Sequence, residues 1–293
     1  MEQVNNRFRA ALETGEFLLT AELGPPKGTD VSAFVEKGKT LSQRFHGLNV
    51  TDNQSSVMRL SSLAGSVHLR EAGVTPIMQM TCRDRNRLAI QSDLLGAWSF
   101  GIENLLVLTG DHPRFGDHPS AKAVYDLDSV QLLDTVRRLN EGFDLAGKQL
   151  KGKTDFVVGA AASPVARPLE PELLKFDKKV EAGAVFFQTQ AVFAPESLES
   201  FMAHARTRPV KIIAGVLVLK SARMIEFINA NVPGLDVPPD IEAAIRKAAD
   251  PVREGIRVAG RIVSEIRELV DGVHIMAIGN EECSLDVLEE AGI

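Results

Sequence analysis

Two carboxylates stand directly after apolar runs, where they could take part in proton or charge chemistry. The first is Glu22, which lies between Ala21 and Leu23 and is followed by Gly-Pro-Pro. A carboxyl group at the end of a buried strand is partly desolvated, which raises its pKa and favours a role as a general acid. The alternative for Glu22 is a solvated carboxylate at the point where the strand leaves the core.

The second carboxylate is Asp111, which follows Gly110 at the end of another apolar run. Because glycine has no side chain, the backbone can approach a ligand closely at this point. A fixed negative charge there could stabilise a cationic intermediate or accept a hydrogen bond from a cofactor ring. The alternative is an aspartate that caps a helix or a turn.

Two amides, Gln188 and Gln190, lie two residues apart in a Phe-rich run. If the run is a strand, both side chains point to the same face. Buried amides are costly unless they are hydrogen-bonded. We therefore predict that both bind a substrate with mixed donors and acceptors, such as the edge of a pterin. The alternative is a polar layer inside a barrel.

Other candidate groups favour structural roles. The segment Gly110-Asp111-His112-Pro113 is repeated as Gly116-Asp117-His118-Pro119, and turns built from Gly, Asp and Pro explain the repeat better than a metal site. No metal site is predicted. Cys82 has no His or Asn partner in the sequence pattern and is interpreted as a small buried residue. The charged run with Arg83, Arg85 and Arg87 is interpreted as a solvated turn, with contact to an anion as the alternative.

Eight apolar runs predict the strands that would position these side chains. They are rich in Val, Ile, Leu and Phe without strict alternation, which is typical of strands covered on both faces. The runs cover residues 18–23, 47–52, 76–82, 104–111, 156–162, 184–193, 210–219 and 272–279. Helical patterns lie between them at residues 31–44, 55–72, 86–101, 129–140, 170–182, 195–206, 221–229 and 241–270.

This alternation predicts the α/β class and a (β/α)8 TIM barrel that forms a single domain over residues 1–293. Ligands bind such barrels at the C-terminal ends of the strands, which is where the polar groups above are expected. The competing fold is an open doubly wound sheet. It is disfavoured because no Gly-x-Gly-x-x-Gly pattern follows the first predicted strand.

Composition excludes several classes of protein. The formal net charge is -6 and the chain has no strongly basic segment, which disfavours nucleic-acid or anionic-membrane surfaces. No apolar stretch is long enough to span a bilayer, and the first residues lack the pattern of a signal peptide. Two cysteines, Cys82 and Cys283, make no disulfide framework. A reduced, cytoplasmic setting is therefore expected.

Taken in order along the chain, several motifs resemble the methylenetetrahydrofolate reductase family, and the resemblance covers nearly all 293 residues. The motifs are Glu22 before Pro25-Pro26, Leu-Thr-Gly-Asp ending at Asp111, Tyr125, Lys179-Val180-Glu181-Ala182-Gly183-Ala184, and Thr189-Gln190. The resemblance implies flavin-dependent reduction of 5,10-methylenetetrahydrofolate to 5-methyltetrahydrofolate, a step of one-carbon metabolism and methionine biosynthesis. The implied cofactor is FAD, with FMN as the alternative.

The resemblance also implies roles for individual residues. Glu22 would protonate a ring nitrogen, Asp111 would stabilise the cation that forms, and Gln190 would bind the pterin. The positions matching those that line the flavin are Thr51, Gln79, Asp111, Tyr125, Ala160, Arg167, Glu172 and Lys179. Gln79 and Arg167 differ from the His that many members carry.

Departures from the family pattern affect the electron donor. Thr109 stands where members carry Arg before the Gly-Asp pair, and Ala222 stands where an aromatic residue would stack a nicotinamide. Residues 21, 23 and 24 are also small or aliphatic where familiar members have aromatics. We therefore expect the electron donor to be either NAD(P)H or a partner electron-transfer subunit. We also expect the chain to form a homo- or hetero-oligomer. Two further hypotheses are a flavin-free folate-binding methyltransferase module and a flavoprotein subunit that is active only with such a partner.

Overall fold

The computed structural model describes residues 6–232 and 235–293. Residues 1–5, which contain most of the segment tested for a signal peptide, lie outside the described residues. Eight parallel strands pair in sequence order and close into a barrel because the last strand pairs with the first. The strands are β1 (Leu18–Leu23), β2 (Gly47–Val50), β3 (Pro76–Thr81), β4 (Asn104–Leu108), β5 (Val157–Ala162), β6 (Phe186–Ala191), β7 (Lys211–Leu217) and β8 (Gly272–Met276). The predicted (β/α)8 barrel is confirmed.

Eleven α-helices surround the barrel within the described residues. They are α1 (Arg7–Thr14), α2 (Ser32–Leu41), α3 (Ser62–Glu71), α4 (Arg87–Ser99), α5 (Ser129–Glu141), α6 (Glu170–Glu181), α7 (Glu196–Ala205), α8 (Ala222–Asn231), α9 (Pro239–Lys247), α10 (Pro251–Ile266) and α11 (Cys283–Glu290). The sequence analysis missed α1 and α11, which are eight residues long each. Short helices leave only a brief periodic pattern in a sequence.

Two predicted helices were too long. The pattern at 55–72 contains α3 only from Ser62, because the Ser61 hydroxyl caps the helix by accepting from the Ala64 N–H. The pattern at 241–270 is split into α9 and α10. Asp250 caps α10 and Pro251 occupies its first position, where a proline is tolerated but cannot continue the preceding helix.

The barrel interior is filled by apolar side chains at its N-terminal end. Residues from six strands form one cluster there, with Phe8 of α1 inserted among them. Phe8 and Phe186 are in edge-to-face contact with ring centroids 5.0 Å apart. The strand residues of the cluster are Leu18, Ile77, Leu106, Val157, Phe186 and Ile213. Helix α1 therefore packs against the interior at this end.

Gly159 of β5 provides the space that the Phe186 ring occupies. A Cβ atom at residue 159 would lie 2.4 Å from the Phe186 ring, which no real side chain could tolerate. The small residue in one strand therefore complements the large residue in its neighbour, as close packing of the interior requires.

Towards the middle of the barrel the interior becomes polar. Four buried side chains form a connected layer: Thr20 of β1, Asn49 of β2, Gln188 of β6 and His274 of β8. The Thr20 hydroxyl lies 3.0 Å from His274 Nδ1 and accepts a hydrogen bond of 3.2 Å from Gln188 Nε2. Burial lowers the pKa of His274 to about 3, so its ring is neutral near pH 7.

Candidate active site

Glu22 is the last residue but one of β1, and its partly buried side chain lies on the C-terminal side of the barrel. Its Oε2 accepts a hydrogen bond of 3.0 Å from Gln54 Nε2. Burial raises the pKa of Glu22 to about 7, with a smaller contribution from the charge of Glu281, while the Gln54 bond opposes the rise. The raised pKa expected from the sequence is therefore present in the structure, and the carboxyl group is a proton donor of suitable strength near neutral pH.

A cleft of about 150 Å³ opens beside Glu22, and we call it the acid cleft. Its walls come from the end of β1, the segment between β2 and α3, and the segment between β8 and α11. The lining residues are Glu22, Gly24, Gln54, Arg59, Ile278, Gly279 and Glu281. The Glu281 carboxylate is ion-paired with Lys37 of α2, with Oε2 2.8 Å from Nζ.

Asp111 follows the end of β4 at Leu108 and is exposed, so the predicted strand at 104–111 was three residues too long. Gly110 adopts a φ of +88°, and a Cβ there would lie 3.0 Å from Cβ of Thr81. Its carbonyl accepts a hydrogen bond of 3.1 Å from the Tyr125 hydroxyl, and the Asp111 carbonyl accepts one of 2.8 Å from the Ser56 hydroxyl. These bonds hold the backbone while leaving the Asp111 carboxylate open to solvent.

The arginines after β3 do not form a solvated turn, so that interpretation was wrong for two of them. Arg83 is only 2% exposed, and its guanidinium donates to Ser56 Oγ at 3.1 Å and to the carbonyl of Asp111 at 3.4 Å. Arg85 is bound to the buried carboxylate of Asp52 at 2.7 Å. Arg83 is also ion-paired with the adjacent Asp84 at 2.8 Å. The partners of both guanidinium groups in other loops leave no local sequence signal.

The residues that the family resemblance matches to the flavin lie at neighbouring strands, from β2 round the barrel to β5. We call this row of positions the arc. Thr51 directly follows β2 and Gln79 belongs to β3, and both side chains are buried. The Thr51 hydroxyl is completely buried and has no hydrogen-bond partner within the protein. A buried hydroxyl without a partner is costly, so this atom is a natural point of contact for a bound ligand. Tyr125 lies further along the arc, near Arg83.

The same arc continues over β5 and α6. Lys179 of α6 is buried, and its Nζ donates to the Ala161 carbonyl at 2.5 Å. Burial lowers the pKa of Lys179 to about 8, partly offset by the charge of Glu172. Glu172 itself accepts a hydrogen bond of 2.9 Å from the Ser163 N–H. A buried lysine with a lowered pKa is a candidate functional group.

Two of the residues matched to the flavin have surroundings unlike those of Thr51 and Lys179. Ala160 of β5 is completely buried, and its methyl group packs in the core between the barrel and the helices, so only its backbone is available to a ligand. Arg167 is exposed in the segment between β5 and α6. Both lie on the side of the barrel where Thr51 and Lys179 are found.

Gln188 and Gln190 have different environments although both belong to β6. Gln188 is buried in the interior polar layer, with its amide bonded to Asn49 and Thr20, which is the arrangement that the sequence left open as an alternative. Gln190 is exposed at the strand end. The pairing of β6 with β7 shifts register between Gln188 and Ala191, so regular alternation is not kept here.

The remaining candidates have structural surroundings. Burial raises the pKa of Cys82 to about 12, so this thiol is not a nucleophile near neutral pH, as the sequence predicted. His112 accepts a hydrogen bond of 3.2 Å from the Arg114 N–H, and His118 Nδ1 lies 2.8 Å from Asp117 Oδ1. Over the described residues, no group of three or more His, Cys, Asp and Glu side chains is arranged to hold a metal ion.

Sequence reasoning missed three side chains of the acid cleft: Gln54, Arg59 and Glu281. Glu281 comes five residues after the end of β8, and Gln54 comes four residues after the end of β2. The rule that polar groups follow barrel strands would have found both, had it been applied to every strand end. Arg59 lies further along its loop, where only the fold brings it to the cleft.

The residues flanking Glu22 do not face the cleft. Ala21 and Leu23 are almost completely buried and pack in the core between the barrel and the helices. Alternation along β1 points them away from the side occupied by Glu22. Their small or aliphatic character therefore fits the packing of this barrel.

No helix among the described residues has the length and apolar character needed to cross a membrane.

Comparison with known proteins gives one consistent result. The model of the family described as methylenetetrahydrofolate reductase matches residues 7–292. The chain is 24% identical to the probable methylenetetrahydrofolate reductase (NADPH) of Caenorhabditis elegans, and the match covers 100% of this chain and 45% of that protein. It is also 24% identical to the 5,10-methylenetetrahydrofolate reductase of Pectobacterium carotovorum, covering 98% of this chain and 94% of that protein.

The coverage differs between relatives. The chain spans less than half of the Caenorhabditis elegans protein and, in a match of 28% identity, 33% of methylenetetrahydrofolate reductase 2 of Schizosaccharomyces pombe. A solved structure with a TM-score of 0.65 and 14% identity is a Clostridium thermocellum protein described as binding two copies of 5-methyl-5,6,7,8-tetrahydrofolic acid. That match covers 98% of this chain and all of the solved one, and it supports the barrel fold.

Proposed function

Because the chain belongs to the methylenetetrahydrofolate reductase family, we propose that it reduces 5,10-methylenetetrahydrofolate to 5-methyltetrahydrofolate. The observation that carries this proposal is Glu22 at the wall of a cleft, with its pKa raised to about 7. A carboxyl group with this pKa is about half protonated at neutral pH and can donate a proton to a substrate nitrogen. The reaction requires such a donor.

Glu22 acts in the first step. The bridging carbon of the substrate is bonded to two nitrogens, and the proton from Glu22 goes to the nitrogen that leaves. The C–N bond breaks with its electron pair on that nitrogen, and the bridging carbon becomes part of an iminium cation. Addition of a hydride to this carbon produces the methyl group. Gln54 positions Glu22 through its hydrogen bond of 3.0 Å.

Asp111 and Gln190 complete the folate part of the site in this proposal. Asp111 is exposed just beyond the end of β4, and its negative charge would stabilise the iminium cation. Gln190 is exposed at the end of β6, where its amide can donate and accept hydrogen bonds with the pterin. Gln188 would act beneath the site by supporting β6, since its amide is already bonded within the barrel.

We propose a noncovalent flavin, FAD or FMN, as the cofactor that supplies the hydride when bound. The residues present fit such a group, because the Thr51 hydroxyl is buried without a partner after β2 and Lys179 offers a buried cation beside β5. Thr51, Gln79, Tyr125, Glu172 and Lys179 would hold it. The backbone of Ala160 and the exposed Arg167 would contribute at the edge of the same arc.

The electron donor to the flavin is either NAD(P)H or a partner electron-transfer protein. Ala222, at the start of α8, offers no ring to stack against a nicotinamide, and an aromatic contact of that kind contributes about 0.5–1.5 kcal/mol beyond its buried area. We therefore expect slow reduction by NADH or NADPH in the isolated chain. Reduction by either nucleotide at the rate of steady-state turnover would remove the need for a partner.

The proposed function is tested with the purified protein under anaerobic conditions. We expect flavin absorption in the visible range, and formation of 5-methyltetrahydrofolate when the flavin is reduced with dithionite and 5,10-methylenetetrahydrofolate is added. A colourless protein that takes up neither FAD nor FMN would contradict the flavin assignment and favour a methyltransferase module. A reduced flavoprotein that is not reoxidised by the folate would contradict the substrate.

A further inference from the structure

The acid cleft contains a second carboxylate with a partner different from that of the first. Glu22 accepts its hydrogen bond from the neutral amide of Gln54 at 3.0 Å, whereas Glu281 is ion-paired with the ammonium of Lys37 at 2.8 Å. The Glu281 side chain is only 14% exposed. Two carboxylates that share one cleft disfavour simultaneous ionisation. The proton therefore resides on whichever carboxyl group is stabilised less by nearby cations in its ionised form.

The surrounding charges decide where the proton resides. Glu281 has the ammonium of Lys37 as its partner, whereas the side-chain partner of Glu22 is a neutral amide. Arg59 also lines the cleft, but its Nη1 donates to the Pro25 carbonyl at 3.1 Å. The Lys220 ammonium donates to the carbonyl of Ile278. Both of these cations therefore donate to backbone carbonyls, and neither is paired with Glu22.

We propose, on the basis of the proposed function, that Glu281 is a positioning residue for the proton: held by Lys37, its carboxylate keeps the proton on Glu22 until the substrate nitrogen takes it. Environments that separate the behaviour of two carboxyl groups are a general means of assigning an acid and a charged group within one site. Here the division of roles follows from the partner of each carboxylate. Glu281 acts through Glu22 and needs no contact with the substrate nitrogen.

The proposal has a consequence for pH dependence. If the charge on Glu281 is removed, Glu22 loses its proton at lower pH, so the range in which it can act as an acid moves downwards. The burial of Glu22 remains, and its pKa therefore stays above the ordinary value. Glu282 offers a matched control, because it is the next residue in the chain, carries the same charge and is exposed.

The experiment is a titration by infrared difference spectroscopy of the full chain, without folate. The C=O band of the protonated Glu22 carboxyl is assigned by its absence from Glu22→Gln. We expect the pH of half-protonation to fall by about one unit in Glu281→Gln. It should stay at the parent value in Glu282→Gln, and Glu281→Asp should retain most of the parent value because it keeps the charge.

Two outcomes would overturn the proposal: an unchanged titration of Glu22 in Glu281→Gln, or an equal shift in Glu282→Gln. The second arm measures folate reduction by the dithionite-reduced protein, and we expect its pH profile to move downwards in Glu281→Gln alone. Because the infrared titration needs no turnover, it tests the coupling of Glu22 and Glu281 independently of folate reduction. A shifted titration in a protein that does not reduce folate would contradict the proposed function while leaving the coupling of the carboxylates established.

Discussion

Gln188 and Asn49 exchange two hydrogen bonds across the interior of the barrel. Gln188 Nε2 donates to Asn49 Oδ1 at 3.1 Å, and Asn49 Nδ2 donates to Gln188 Oε1 at 2.6 Å. Both side chains are buried, so each amide provides the partner that water cannot. The pair connects β6 with β2 below the strand ends that carry Gln190 and Thr51. Removing either partner would leave the other amide unsatisfied.

The two glutamines of β6 should therefore respond differently to substitution. Gln188→Leu leaves the buried Asn49 amide without its partner, and we expect it to lower the free energy of unfolding by about 2–4 kcal/mol. Gln190→Ala changes an exposed side chain and should leave stability within about 0.5 kcal/mol while raising KM for the folate. Urea unfolding and steady-state kinetics measure the two effects. Equal stability losses would mean that Gln190 is also part of the packed interior.

Thr51 provides a test of the flavin site that needs no activity. Thr51→Val keeps the shape but removes the buried hydroxyl, so we expect the flavin dissociation constant to rise by about 3- to 10-fold, as for the loss of one hydrogen bond. Stability of the flavin-free protein should not fall, because the hydroxyl has no partner within it. Ser66→Ala is the matched control, since its buried hydroxyl in α3 is also unpartnered. Unchanged flavin affinity in Thr51→Val would count against this contact.

Glu22→Gln should separate proton transfer from cofactor binding. The amide cannot donate the proton, so we expect folate reduction to fall by about 10²- to 10⁴-fold while flavin binding is retained. With a pKa of about 7, the parent acid is protonated below this pH, and its rate should fall about tenfold per unit above it. The variant should lack this fall. Parent-like turnover in Glu22→Gln would assign Glu22 a structural role.

Asp111→Asn should have opposite effects on the two parts of the reaction. In the proposed site Asp111 lies beside the flavin, and loss of its negative charge would make the reduced, anionic cofactor easier to form, so the reduction potential should rise. Loss of the same charge weakens stabilisation of the iminium cation, so folate reduction should slow. Asp155→Asn, an exposed change just before β5, is the control. A reduction potential that is unchanged or lower in Asp111→Asn would mean that the Asp111 carboxylate does not lie beside the flavin.

His274 should make the barrel sensitive to acid. Its pKa is about 3 in the folded chain and near 6.5 when unfolded, so the unfolded state binds more protons between these values. Stability from this group is therefore complete above about pH 6.5 and is lost as the pH falls towards 3, by up to about 1.4 kcal/mol per unit. His274→Gln should show a shallower loss in urea unfolding at pH 4–7. The control His68→Gln, at a half-exposed position of α3, should retain the parent slope, and a parent slope in His274→Gln would contradict the assignment.

The sequence was sufficient to predict the order of the barrel and the location of Glu22. Each strand is a compact run of apolar residues, and Glu22 lies within such a run, one residue before β1 ends, where burial desolvates its carboxyl group. Arg83 was misinterpreted because, besides its ion pair with the adjacent Asp84, its guanidinium also donates to carbonyls of two other loops. Burial of a guanidinium by such contacts cannot be seen in the residues that adjoin it.

The same limit applies to Gln188 and Gln190, which alternation alone places on one face. The shift in pairing between β6 and β7 depends on the neighbouring strand, including the Gly215 N–H that donates to the Thr189 hydroxyl at 2.9 Å. The ion pair of Glu281 with Lys37 was missed for a related reason, because Lys37 lies 244 residues before Glu281 in the chain. Ion pairs over such separations become visible only when β8 and α2 are brought together.

The packing of Gly159 against Phe186 has a consequence for how this barrel can change through evolution. A methyl group at residue 159 would overlap the ring, with a separation of 2.4 Å, so the glycine cannot be replaced while the phenylalanine is retained. A smaller side chain at 186 would in turn leave a void beside Phe8 unless residue 159 gained volume. Among descendants of this sequence, the two positions should therefore be inherited as a unit, with each substitution at one accompanied by a compensating substitution at the other.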